Sequence, residues 1–432
     1  MTTDLSRRTF LKLSSLSLAG WSVAPALEAL PRMAFAPEGV EPGGDVLVCV
    51  FQRGGMDGLN AVIPQFEAEY FRQRSTLAIP ESASGDDQSA IDLDGRFALH
   101  PALRPLKEVW DDGGLAIVHA VGSPDPTHSH FDAMDYMERG TPGEKTIATG
   151  WIGRHLQTAP WQNESPFRAV GMGGILQASL RGPVPVTTLQ SIADFHLQGN
   201  TSELARMQRV LASLYSLAPS TGPGQGVSLD EPGQTTFSAT DLLAGIDVAN
   251  YAPENSAQYP DSQFGRALMQ VAQIVKAEIG LEVACVDMGG WDTHAAQGGL
   301  TGGPMPGLLA EFAGGLAALY HDLGELRKRV TIVTMSEFGR RVSENGSAGT
   351  DHGHGGVMFA LGDSANVNGG VVHGDWPGLD AEYLYGPGDL DTTSDYRDVL
   401  GELVRKRLGN GENVEDIFPD FDVDELGVFT EV

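Results

Sequence analysis

The 432-residue chain is poor in cysteine, with Cys49 and Cys285 alone, and this excludes a disulfide framework. Both lie inside apolar, strand-like runs and read as small buried hydrophobes. Positive charge is also scarce. Lysine occurs six times, and 28 Lys+Arg face 57 Asp+Glu for a formal net charge of −29. An acidic balance of that size excludes a sequence-independent grip on nucleic acid or anionic lipid. No apolar run reaches the roughly 20 residues that a membrane helix needs. HExxH and CxxC are absent, which argues against a zincin or a structural zinc site. Without GxSxG, an α/β-hydrolase elbow is excluded. No GxGxxG follows the first strand and no GxxxxGK[ST] occurs, so dinucleotide and P-loop readings fall away. What remains is a chain able to fold, with 41% apolar residues, 6 Trp and 17 Phe.

The N-terminus reads as an address. Ser6-Arg7-Arg8-Thr9-Phe10-Leu11-Lys12 precedes a short apolar run, from about Leu13 to Ala24. A twin arginine before such a segment is the pattern of a bacterial twin-arginine signal peptide. We expect a leader over residues 1–36, with cleavage near 26 after Ala24-Pro25-Ala26, or near 36 after Ala34-Phe35-Ala36. The export machinery is then a partner, and the mature protein is periplasmic or secreted.

Apolar β-branched runs at Val46–Phe51, Leu115–Ala120, Val184–Thr188, Leu281–Asp287, Val330–Met335 and Val357–Leu361 predict strands. Most are continuous rather than alternating, as expected where both faces of a sheet are covered. Helical spacing marks Pro101–Asp111, Phe131–Arg139, Ser202–Leu217, Gln263–Gly280, Pro306–Arg329 and Ser394–Leu408. Alternation of the two predicts an α/β sandwich about a mostly parallel sheet, as one domain over 45–432. Glu81–Arg96 and Pro219–Gln234 read as surface loops.

Functional residues of such sheets gather beyond the carboxyl ends of the strands. Five segments qualify. They are Gln52–Asn60 with Arg53 and Asp57, Gly289–His294 with Asp292 and His294, Ser336–Arg341 with Glu337 and Arg340, Thr350–Gly356 with Asp351, His352 and His354, and Pro124–Asp132 with Ser129 and His130. Carboxylate with imidazole suits Zn²⁺, Mn²⁺ or Fe²⁺, and oxygen-rich sets suit Mg²⁺ or Ca²⁺. Ser129 reads either as a nucleophile at a helix N-terminus or as its N-cap. Arg53 and Arg340 suit a tetrahedral oxyanion, or equally the carboxylates around them.

These segments, Phe51–Gly58, Ser129-His130-Phe131, Gly289–His294, Ser336–Arg340 and Thr350–Gly353, resemble the bacterial family labelled domain of unknown function 1501. That family is similar to the alkaline phosphatase and sulfatase superfamily. The resemblance implies a three-layer α/β/α sandwich with metals and a nucleophile at the strand ends. Asp57 corresponds to the superfamily's Asp after the first strand, Ser129 to its nucleophile, and His352 or His354 to its last His ligand. Glu337-Phe338 stands where an adjacent Asp-His is usual. The expectation is an exported hydrolase of phosphate or sulfate esters, acting on a small-molecule or glycan ester. Ser129, His130, Arg53 and Arg340 would be its catalytic groups. Asp57, Asp292, His294, Glu337, Asp351, His352 and His354 would ligate divalent Zn, Mn, Mg or Ca. The alternative is a degenerate member that binds an envelope glycan or a protein.

Overall fold

Strand β1 (Val46–Gln52) is apolar up to its last residue and lies at the middle of a nine-stranded sheet. The structure, a computed structural model, describes residues 45–83, 88–160, 163, 165–193, 243, 246–248 and 250–431. The expected leader, the helix expected at Ser202–Leu217 and the loop expected at Pro219–Gln234 lie outside the described residues.

Parallel neighbours flank β1, with β8 (Val283–Met288) on one side and β9 (Val330–Met335) on the other. Beyond β8 come β6 (Ala169–Met172) and β7 (Thr187–Leu189), both parallel. Beyond β9 come β10 (Gly356–Leu361), β5 (Leu115–Gly122) and then β11 (Val371–His373), with β12 (Ser394–Asp395) also pairing β5. Among the described strands of this sheet, only β10 runs against its neighbours. A second, small antiparallel sheet holds β2 (Val62–Pro64), β4 (Phe97–Leu99) and β3 (Ile91–Asp92).

Helices cover both faces. On one, Val48, Val50, Val286 and Ile332 share a core with residues of the helices Arg104–Asp111, Gln263–Lys276 and Pro304–Leu323. On the other, Leu47, Cys49, Cys285 and Met335 share a core with residues of Trp151–Thr158, Tyr396–Lys406 and Val414–Ile417. This is the three-layer α/β/α sandwich, and each fully buried aliphatic side chain of β1 contributes roughly 1.5–3 kcal/mol. Both cysteines are free and buried. No helix among the described residues is long and apolar enough to cross a membrane.

Several expected bounds move for physical reasons. The helix expected to reach Gly280 stops at Lys276, because Glu278 and Gly280 adopt positive φ. The helix expected to reach Arg329 stops at Leu323, where Gly324 turns left-handed at φ 52°, and a 3₁₀ segment follows. Part of the expected loop Glu81–Arg96 is strand β3, which pairs β4 through Ile91 and Asp92. Strand β7 lies three residues later at its start than the run Val184–Thr188 suggests.

Candidate metal centre

The carboxyl ends of β1, β5, β8 and β9 and the start of the reversed β10 all open on one end of the sheet. The loops there nest closely. Gly54 has φ +124°, and a Cβ on it would lie 2.6 Å from the Asp292 nitrogen; one on Gly339 would lie 1.8 Å from the Gly355 oxygen. Only glycine permits either approach.

At the meeting point stand three imidazoles and one carboxylate. Asp292 Oδ1 lies 2.8 Å from Arg340 Nη2, 3.0 Å from His294 Nε2, 3.1 Å from His352 Nε2 and 3.5 Å from His130 Nε2. His294 Nε2 and His352 Nε2 are 2.9 Å apart. One ligand atom each from His130, Asp292 and His352 fits within 4.8 Å of the others.

The opposite nitrogen of every ring is committed. His130 Nδ1 faces Glu337 Oε1 at 2.7 Å, His352 Nδ1 faces the His128 carbonyl at 2.9 Å, and His294 Nδ1 faces Asp351 Oδ1 at 3.3 Å. A carbonyl or carboxylate only accepts, so each Nδ1 carries a hydrogen, and a ring that is neutral then turns its Nε2 lone pair inward. Lone pairs at such distances repel unless a cation or a shared proton lies between them. His130 Nε2 is buried without a hydrogen-bond partner. An oxygen acceptor behind a metal-binding imidazole is the usual support of such a ligand. The residues therefore fit a divalent ion.

The hydrogen bond to Glu337 raises the His130 pKa. Burial would raise the Asp292 carboxyl, but the Arg340 guanidinium bonded to it and the His352 imidazole beside it outweigh that and hold the group down at about 2. Phe338 packs against both His130 and His352, with ring centroids 4.9 and 4.6 Å away. It gives the centre one apolar wall.

Other expected site residues stand elsewhere. Asp57 is buried, caps the short helix Gly58–Ala61, and binds Arg74 Nη1 and Gln297 Nε2, each at 2.6 Å. It is spoken for by a guanidinium rather than open to an ion. His354 is buried and stacks on Tyr385 at 4.3 Å, so it is His352 that meets Asp292. Glu337 and Asp351 stand behind His130 and His294 as supports.

Ser129 caps the helix His130–Arg139, its hydroxyl accepting from the Asp132 nitrogen at 3.5 Å. Arg340 is buried and fully engaged, donating to the carbonyls of Gly54, Gly55, Trp291 and Thr350 as well as to Asp292. Arg53 is held by Glu138, with contacts at 3.2 Å, and by Asp287 at 2.9 Å. Of the two roles open to each arginine, the structure gives pairing with protein groups rather than an oxyanion clamp.

Sequence reasoning missed Arg74, Gln297 and Glu138, none of which lies in a recognisable motif. It passed over Asp287, although a lone carboxylate near the end of an apolar strand was a usable signal.

No curated protein matched the chain. Among solved structures, the C-terminal periplasmic domain of EcEptC from Escherichia coli is similar at a TM-score of 0.36 and 10% identity, over 93% of this chain and 96% of that one. The lipoteichoic acid synthase LtaP from Listeria monocytogenes is similar at 0.30 and 9% identity, over 82% and 75%. Likeness that distant says nothing of function. Residues 45–397 match the family described as Protein of unknown function (DUF1501), which is most of the sequence, and the chain belongs to that family.

Proposed function

We propose that the protein is a metal-dependent hydrolase of phosphate or sulfate esters, acting at the centre formed by His130, Asp292, His294 and His352. One observation carries the reading: three imidazoles with committed Nδ1 hydrogens turn Nε2 toward a single carboxylate oxygen. A bound divalent ion supplies Lewis acidity to an ester oxygen and local positive charge in a protein of net charge −29. Glu337 and Asp351 keep His130 and His294 in the ligand tautomer. Arg340 fixes the direction of Asp292, and Phe338 closes one side to water. The test compares metal-depleted and zinc-loaded protein on a panel of aryl phosphates and sulfates. Turnover should appear on loading and fall at least about 100-fold in His130→Ala. Equal turnover in the variant, or none with any metal, would sink the proposal.

A second reading, a non-catalytic binder of an envelope glycan or protein, is favoured by the engagement of Arg53, Arg340 and Ser129 within the protein. It accommodates zinc binding without turnover. We also propose export by the twin-arginine route, on the strength of Arg7 and Arg8. Retention of an Arg7→Lys/Arg8→Lys variant in the cytoplasm, with wild type outside it, is the expected result; equal export of both refutes it.

A further inference from the structure

We infer that the centre takes a single ion of the zinc, cobalt, manganese or iron kind, and that the Arg74 guanidinium stands at Asp57 in place of a second ion. The inference rests on the proposed function only for the presence of an ion. Its starting point is a disagreement, because the resemblance leads one to expect Asp57 among several metal ligands.

Consider what a second ion would have to displace. Asp57 and Arg74 are both fully buried, and their side chains meet at 2.6 Å. Every nitrogen of Arg74 is engaged. Nε donates to the Val342 carbonyl, Nη2 to the Arg341 carbonyl, and Nη1 also to Asn60 Oδ1, each at 2.8 Å. Asp57 is equally occupied, accepting from Gln297 Nε2 and from the Asn60 nitrogen. Guanidinium stays charged at every accessible pH. An ion that took Asp57 would leave that charge buried and unpaired, which is strongly unfavourable.

The other carboxylates expected as ligands are also occupied. Glu337 Oε1 accepts from the Gly54 nitrogen and faces His130, while Oε2 faces Ser336 Oγ. Asp351 Oδ1 accepts from Asn345 and faces His294. Among the described residues this leaves three nitrogens and the Asp292 carboxylate. That is the donor count of one four-coordinate ion. A nitrogen-rich set selects transition ions, whereas Mg²⁺ and Ca²⁺ demand six or more oxygens.

The experiment strips the full-length folded protein with chelator and titrates it with Co²⁺ and Zn²⁺, reading bound metal by elemental analysis and the visible cobalt spectrum. One equivalent is expected, with an intense four-coordinate cobalt band that millimolar Mg²⁺ or Ca²⁺ does not remove. His294→Ala should lower the affinity at least about 10-fold. Two equivalents at saturation, or displacement by Mg²⁺ or Ca²⁺, overturn the inference and leave the hydrolase reading standing. One equivalent without ester turnover does the reverse, and no bound metal overturns both. Asp57→Asn alone strands a buried charge and can fail to fold, so the companion variant is Asp57→Asn/Arg74→Met. It should still bind one equivalent with unchanged affinity; loss of that equivalent would make Asp57 a ligand and overturn the inference.

Discussion

Asp57 and Asp292 each lie beyond the end of a central strand, each faces a buried arginine, and yet their surroundings differ in kind. Around Asp57 every donor finds an acceptor, and the carboxylate is sealed from solvent. Around Asp292 three inward-facing imidazole nitrogens share one oxygen, and the carboxylate is half exposed. Completed hydrogen bonding marks a carboxylate that stabilises the fold. Surplus lone pairs at an accessible carboxylate mark one that waits for a ligand. Residue type and post-strand position are the same in both, so only the partners distinguish them.

The largest effect should come from breaking the sealed region. Arg74→Met leaves Asp57 buried and unpaired and should cost about 3–5 kcal/mol in urea unfolding of metal-free protein. His294→Ala in the same metal-free background should cost under about 1 kcal/mol. If the two losses were equal, the contrast between the regions would be false.

Next comes a contrast between the site histidines and a structural one. His119 is buried, accepts from the Ala120 nitrogen at Nδ1 and faces the Val62 carbonyl at Nε2, and burial lowers its pKa to about 4. The unfolded chain, titrating near 6.5, then binds the extra proton first. Stability should be full above that pH and decline as pH falls from about 6.5 to about 4, by on the order of 3 kcal/mol. His119→Gln should flatten this part of the pH–stability curve, and an unchanged slope would remove His119 from the account.

Zinc at 100 times its Kd should stabilise the protein by about 2.7 kcal/mol, read as a rise in Tm. The rise should vanish in His130→Ala and survive in Asp57→Asn/Arg74→Met, and the opposite pattern would exchange the roles of the two carboxylates. The smallest effect is expected at Ser129. As a helix cap, its replacement by alanine should cost about 1 kcal/mol and leave metal affinity and any ester turnover unchanged. Lost turnover with intact stability would make it a nucleophile after all.

The layered fold was legible because its central strands are mostly apolar on both faces, so β1, β5, β8, β9 and β10 stand out as near-continuous runs. Strand β6 was not, since four residues with a glycine carry little pattern. The helix Trp151–Thr158 was hidden because Arg154 and His155 interrupt its apolar spacing while being buried, Arg154 by donating to the carbonyls of Thr149 and Ile417. At the site, the four ion-facing residues lay in segments whose chemistry could be read in advance. Their division of labour could not. His352 and His354 are two positions apart, and only the fold decides that one meets Asp292 while the other stacks on Tyr385. Arg74 sits in a stretch with no pattern at all, yet it decides the fate of Asp57.

Arg340 has a consequence for the order of assembly. Its one guanidinium joins Gly54, Gly55, Trp291, Asp292 and Thr350, from stretches far apart along the chain. No nascent chain shorter than 350 residues can contain that junction, and the four residues of the candidate centre span 130 to 352. Long-range closure of this kind comes late in folding. If the centre holds an ion as proposed, its capture should act as a completion signal, strong for the finished molecule and weak for any partly folded one. Any opening of the strand ends would then release that ion before the core itself comes apart.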